Sequence, residues 1–233
     1  MASSIFITGS NRGMGLEWAR QYAEAGWRVL ATCRHPQQAE ALEALAGEQA
    51  GLSIHRLDVT RPEQVEALAA ELAGQPLDVL LNNAGVYLER WGRDRLGRID
   101  YQAWQQTFAV NTLGAFRVTE ALRDNLRRGQ RRLVVNISSH MGSIADITAP
   151  NDYAYRSSKA ALNAASRGLA HELAAQGIGV LLLHPGWVRT RMGGAEAPLS
   201  PAESVRGMRA LVEGFTPADS GRFLRHDGIE LPW

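Results

Sequence analysis

One cysteine in 233 residues leaves this chain without an internal disulfide, and no Cys/His spacing resembles a metal site. Cys33 reads as a small residue filling a strand end in a reducing compartment. A surplus of charge is missing too: 25 Lys and Arg against 24 Asp and Glu give a net +1, which supplies no field for nucleic acid or an anionic membrane. The one basic cluster, Arg127, Arg128, Arg131 and Arg132, falls where a long helix should end, and cations there complement the helix C-terminus. No apolar run approaches the roughly 20 residues of a membrane span, and a first strand by about residue 4 leaves no room for a signal peptide. No repeat, low-complexity tract or Pro/Gly/Ser linker divides the chain. The expectation is a single cytoplasmic domain over residues 1–233, long enough to bury roughly 70–75% of the unfolded surface.

What is present is alternation. Apolar runs near 4–8, 27–33, 52–58, 77–82, 131–138, 178–184 and 222–226 are separated by amphipathic segments at 14–25, 36–47, 62–74, 101–128 with breaks, 153–176 and 201–214. Such alternation predicts an α/β fold: one Rossmann-type, doubly wound domain with about seven parallel strands and helices on both faces. Ligands are then expected beyond the carboxyl ends of the strands. The long irregular pieces 85–100, 139–152 and 186–200 would gather there.

The stretch Thr8-Gly9-Ser10-Asn11-Arg12-Gly13-Met14-Gly15 leaves the first strand and opens a helix. A strand turning on glycines into a helix aims backbone N–H groups and the positive end of the helix dipole at one spot, which suits a phosphate. Gly9 permits the tight turn, Gly13 lets backbone approach a pyrophosphate, and Gly15 lets the helix lie close to the sheet. Asn11, Arg12 and Met14 complete the turn. The second strand ends in Arg34, where an acidic side chain would meet an adenosine ribose; the acid is absent. Arg34 and Arg12 on one side favour NADP(H) over NAD(H). Asp58 and Val59 close the third strand, where the carboxylate either accepts from an adenine amino group or caps the helix before Pro62. Asn83, Ala84 and Gly85 close the fourth. Small residues there let a cofactor lie against backbone, and the Asn83 amide serves either the cofactor or a tie between strand ends. Tyr155 and Lys159, four apart, project from one helix face. An ammonium near a phenol lowers its pKa from about 10, which makes a tyrosine usable as an acid/base near neutral pH.

The motifs TGSNRGMG, NNAG, Asn111 in Val110-Asn111-Thr112, Ser139 after the fifth strand, YRSSK, and Pro185 to Thr190 after the sixth occur in one order. In that order the chain resembles the short-chain dehydrogenase/reductase family from about residue 4 onward. Gly142 to Asp146, Tyr153 to Arg156 and Asp227 to Trp233 look most like its C-factor-like group, related to sniffer-type carbonyl reductases. The resemblance implies that Tyr155 donates a proton to a carbonyl oxygen, or removes one from an alcohol in reverse, while Ser139 hydrogen-bonds that oxygen. It implies that Lys159 binds the nicotinamide ribose and depresses the Tyr155 pKa, and that Asn111 holds a water connecting Lys159 to solvent. Pro185, Gly186, Val188 and Thr190 would cover the nicotinamide. Asn111, Ser139, Tyr155 and Lys159 are thus the expected catalytic set. The interval from Ser139 to Tyr155 is longer than in the simplest members, so Ser143 is a rival; Ser139 is preferred because it leaves the strand directly.

The implied function is NADPH-dependent reduction of an aldehyde or ketone. The alternatives are an NADP(H)-binding regulatory protein with incidental turnover and an NADP-dependent alcohol dehydrogenase. Tyr87, Leu88, Trp91, Ile144, Ile147, Trp187 and Met192 in the loops favour a substrate with a hydrophobic body. A homodimer is expected through the helices at 101–128 and 153–176, with Phe116, Val118, Leu162 and Leu169 as candidate apolar contacts, some of which must face the sheet.

Overall fold

The computed structural model describes residues 2–89 and 95–233. Seven strands are formed: β1 (Ser4–Ile7), β2 (Arg28–Cys33), β3 (Leu52–Arg56), β4 (Val79–Asn82), β5 (Leu133–Ile137), β6 (Gly179–His184) and β7 (Phe223–Arg225). They make one parallel sheet in the order β3-β2-β1-β4-β5-β6-β7. The order reverses between β1 and β4, which opens a crevice above their carboxyl ends.

Side chains of the central strands alternate between two apolar layers, as a pleat covered on both faces requires. Ile5, Ile7, Val79, Leu81 and Val135 meet helices α1 (Gly13–Glu24), α2 (Glu40–Glu48) and α8 (Pro201–Glu213). Phe6, Leu80, Val134 and Val180 meet α3 (Pro62–Glu71), α5 (Ala115–Ala121), α6 (Arg123–Arg128) and α7 (Tyr153–Ala174). Proline at the first helical position starts α3 and α8, and Ser200 with Glu203 forms a capping box on α8.

Two expected helices are divided. The segment 36–47 splits into a 3₁₀ turn, Pro36–Gln38, and α2, because Ala39 between them leaves helical angles (φ −104°, ψ 51°). The segment 101–128 runs through α4 (Tyr101–Phe108), a π turn at Ala109–Gly114, α5 and α6, broken at Leu122. Within the π turn, Gly114 lies so close to Val59 that a Cβ would come within 2.6 Å of its side chain. The candidate dimer contacts Val118 and Leu162 are core residues, each 1% exposed; Tyr101 and Leu113 are the large apolar residues exposed along 101–128.

At the amino edge of the sheet, Asp78 accepts hydrogen bonds from Ser4 N (2.8 Å), Ser4 Oγ (3.1 Å), Gln130 N (2.7 Å) and Arg131 N (3.2 Å). Burial alone would raise its pKa, but these donors outweigh it and lower it. Among the described residues no helix is long and apolar enough to cross a membrane, and no group of three or more His, Cys, Asp or Glu is placed to hold a metal ion. Buried Cys33 packs into the core at the end of β2.

Candidate active site

The glycine turn is built on close approach. Gly13 has φ +55°, where a side chain would be strained, and a Cβ on Gly15 would sit 2.1 Å from the Gly9 carbonyl oxygen. Gly9 in turn packs against Ala84. Thr8, at the end of β1, accepts from Asn83 N (3.0 Å) and Ala84 N (2.9 Å) through Oγ1, and Asn83 Nδ2 donates to the carbonyls of Thr8 (2.9 Å) and Gly9 (3.1 Å). Of the two readings of Asn83, the tie between strand ends is the one its amide nitrogen serves. Met14 packs its side chain on the core, while Asn11 and Arg12 are exposed at the tip.

Arg34 and Arg191 are both near enough to Arg12 to repel it: burial first, then Arg191 and Arg34, lower the Arg12 pKa. None of the three makes an ion pair among the described residues. Three guanidiniums beside a glycine turn fit a ligand carrying more than one phosphate. Asp58 faces this cluster. Its Oδ1 accepts from Thr60 N (2.9 Å) and Thr60 Oγ1 (2.7 Å), closing a turn ahead of α3, whose N-cap is Arg61. Burial would raise the Asp58 pKa; the Thr60 bonds, then Arg34 and Arg61, bring it below the usual carboxylate range. The Val59 carbonyl accepts from Arg117 Nη1 at 2.8 Å.

Tyr155 and Lys159 share the buried face of α7, beneath the carboxyl end of β5. The Ser139 hydroxyl is close enough to the Tyr155 phenol to pull its pKa down, and the Ser139 Oγ accepts from Met141 N at 3.1 Å. Ser143, the rival, is instead bound to the Trp233 carbonyl (3.4 Å) and Asp146 N (3.3 Å). The expected depression of the phenol is not what this geometry gives. Burial pushes the Tyr155 pKa up to about 12, against the pull of the nearby Ser139 hydroxyl. Lys159 Nζ donates to the Ile137 carbonyl (2.8 Å) and lies 5.8 Å from the Tyr155 ring centroid, so its charge is directed at β5 and the ring. Burial brings Lys159 itself down to about 8.

Asn111, in the π turn, gives its whole amide to protein: Nδ2 donates to the Val86 carbonyl (2.9 Å) and Ser158 Oγ (3.0 Å), and Oδ1 accepts from Val86 N (2.8 Å). A π turn in this place re-aims one side chain inside an otherwise regular helix. Gly85, next to Val86, comes close to Lys159 Nζ: a Cβ there would be 3.8 Å away.

The segment after β6 spans the crevice. The Pro185 carbonyl accepts from Ser204 Oγ on α8 (2.6 Å), Gly186 (φ +81°) packs against Leu199 and His226, and Val188 forms a β-bridge with Leu199. The Thr190 methyl reaches the glycine turn, 3.6 Å from where a Gly13 Cβ would lie, and its Oγ1 accepts from Gly193 N (3.1 Å). His184, at the end of β6, is held neutral: burial, then His140 and His226, lower its pKa to about 3.

Two contributors lay outside the sequence motifs, Arg191 as the third cation and Glu89, while Thr8, inside the glycine motif, takes the unforeseen part of receiving two amides. Buried Glu89 accepts from Ala154 N and Tyr155 N, each at 2.6 Å. Tyr87 hydrogen-bonds Asp152 and sets its ring 4.7 Å from that of Tyr155. Leu88, Trp187 and Met192 are exposed, and Trp91 lies outside the described residues. Ile144 and Ile147, expected at the substrate mouth, line a separate apolar cavity of about 660 Å³ with Trp104, Tyr153 and Ala160, on the face of α7 turned away from Tyr155.

Known proteins resemble this chain in sequence and in fold. The short chain dehydrogenase family profile matches residues 3–198. C-signal of Myxococcus xanthus is 46% identical over 169 residues, which is 72% of this chain and 100% of that protein. The NADPH-bound carbonyl reductase from chicken fatty liver has a TM-score of 0.92 at 32% identity, covering 100% of this chain and 99% of that one. The carbonyl reductase Sniffer of D. melanogaster has a TM-score of 0.93 at 33% identity, with 100% of each chain covered. The chain belongs to the short-chain dehydrogenase/reductase family, in the group of C-signal and the sniffer-type carbonyl reductases.

Proposed function

We propose that this chain is an NADPH-dependent carbonyl reductase in which Tyr155 is the proton donor. One observation carries the reading: a buried phenol beside the Ser139 hydroxyl and flanked by a buried lysine opens onto the same sheet edge as a glycine turn with Arg12, Arg34 and Arg191 nearby. Arg12 and Arg34, with Arg191, would hold the 2′-phosphate and pyrophosphate. Gly9, Asn11, Gly13, Met14 and Gly15 would offer backbone, and Asp58 and Val59 would border the adenine. Ala84 and Gly85 would lie under the cofactor, with Pro185, Gly186, Val188 and Thr190 above it. NADPH supplies the hydride to the carbonyl carbon.

The protein's part is the oxygen. Burial keeps Tyr155 protonated at neutral pH, so it is an acid, and Ser139 offers a second hydroxyl to the same carbonyl oxygen. As charge develops there, the phenolic proton passes to the oxygen and the alcohol is complete. Lys159 stabilises the phenolate left behind and would hold the ribose hydroxyls, while Asn111 fixes the Val86 loop beside it. In the oxidative direction the same groups run backwards, and the cofactor ratio decides. Exposed Leu88, Trp187 and Met192 favour an apolar substrate body. A cytoplasmic location and a homodimer through the helices at 101–128 and 153–176 go with this reading.

A regulatory reading is favoured by one thing, the 46% identity to a protein named C-signal. Initial rates with aliphatic, aromatic and quinone carbonyls, with NADPH and NADH, separate the two. The reductase reading predicts turnover that prefers NADPH and falls at least about a thousandfold in Tyr155→Phe. Tight NADPH binding without turnover of any carbonyl would favour the regulator.

A further inference from the structure

The helix that carries Tyr155 begins badly by its own means. Its N-cap, Asp152, sits in the left-handed region (φ 54°) next to Asn151 at φ 111°, and makes no side-chain capping bond. The first N–H groups of a helix have no intrahelical partner, and an N-cap side chain normally accepts from the second or third of them. Here the Asp152 carboxylate accepts from the Tyr87 hydroxyl instead.

The missing acceptor comes from the loop after β4. The two oxygens of Glu89 accept from Ala154 N and Tyr155 N, the second and third residues of α7, at 2.6 Å each. Glu89 is 6% exposed, so these are buried, charge-assisted bonds at the positive end of a 22-residue helix. We infer that Glu89 is a positioning residue for Tyr155: it caps α7 from a distance of 65 residues and fixes the phenol through its own backbone N–H. This rests on the reading of Tyr155 as the proton donor.

The surrounding contacts make Glu89 the end of a single brace. Val86 is bonded from both its N–H and its carbonyl to Asn111, Gly85 approaches Lys159, and the Tyr87 ring lies against Tyr155 before Glu89 seats the helix turn. One short segment, 85–89, thereby sets the mutual distances of Asn111, Lys159 and Tyr155. Its reach is fine enough to matter, because a proton donor misplaced by about 1 Å can lose a hundredfold in rate.

The test compares Glu89→Ala and the near-isosteric Glu89→Gln with the parent protein and with Tyr155→Phe. It reads kcat and KM on the fastest carbonyl of the panel, NADPH affinity by titration, and amide hydrogen exchange of the first turn of α7. Glu89→Ala is expected to lower kcat about 10- to 100-fold, leave NADPH affinity within about twofold, and speed exchange at residues 154–155. Glu89→Gln, which keeps one acceptor, is expected to fall between and carries the test if the alanine variant does not fold. An unchanged kcat overturns the inference. So does a fall in kcat with the turn still protected, or one that tracks a loss of NADPH affinity. If Tyr155→Phe keeps full turnover, the donor reading fails, whatever Glu89 does; if only the Glu89 variants keep theirs, only this inference fails.

Discussion

Lys159 is where protonation should be felt first. Burial holds it at about 8 in the free protein, so it is an ammonium below that pH and neutral above it. A neutral Lys159 can neither support a developing phenolate nor attract the cofactor as a cation. The second-order constant for NADPH, which reports groups of the free enzyme, is therefore predicted to be flat at lower pH and to fall about tenfold per unit above pH 8. Tyr155, at about 12, adds no limb of its own in that range. A pH series of initial rates checks this, and Lys159→Met should lose the limb together with most of the activity. The spacing of Tyr155 and Lys159 is readable in the sequence because helical geometry follows from separation by four. That both groups lose water is not, since burial depends on β5, the loop after β4 and α7 closing together. For the same reason the ammonium reads from the sequence as a depressor of the phenol, whereas in the fold desolvation dominates. Glu89 is invisible by pattern: an acid 65 residues from its partners carries no local signal.

At the scale of elements, the strands order the site and Asp78 ties their far ends. Its carboxylate gathers N–H groups from Ser4, Gln130 and Arg131, at the starts of the chain paths into β1 and β5. Asp78→Ala leaves buried donors unanswered and is predicted to cost about 3 kcal/mol in urea unfolding. Because the folded pKa is depressed, this stability is present above the unfolded value of about 3.9 and is lost as pH falls through the folded one. Asp78→Ala should flatten that acid limb. Strand positions were legible to within a few residues, since continuous apolar runs bounded by turn residues leave little else for a parallel sheet. The helices were less so. The π turn at Ala109–Gly114 and the split at Ala39 follow from tertiary contacts, such as Gly114 against Val59, that periodicity does not contain. The placement of Ile144 and Ile147 went astray similarly: a long loop can pass behind its helix as easily as in front.

Over the whole molecule, the crevice between β1 and β4 brings together the ends of four strands, and each contributes one part: the turn at Thr8, the tie at Asn83, Ser139, and the cover from Pro185. The order of those motifs along the chain was enough to place them, because a doubly wound sheet delivers successive strand ends to one edge. The charge at that edge has the same logic. With a net charge of only +1, the protein still concentrates Arg12, Arg34 and Arg191 around one turn, which favours a doubly phosphorylated ligand locally without a long-range field. The central claim is that this crevice passes a hydride from NADPH to a carbonyl carbon while Tyr155 protonates the oxygen. The most direct measurement follows the label from NADPH dideuterated at the nicotinamide C4 into the product of an accepted aldehyde or ketone, by mass spectrometry. One deuterium on the carbinol carbon, absent when Tyr155→Phe replaces the parent protein, is the predicted result. A product without deuterium, or equal labelling by the Tyr155→Phe protein, would contradict it.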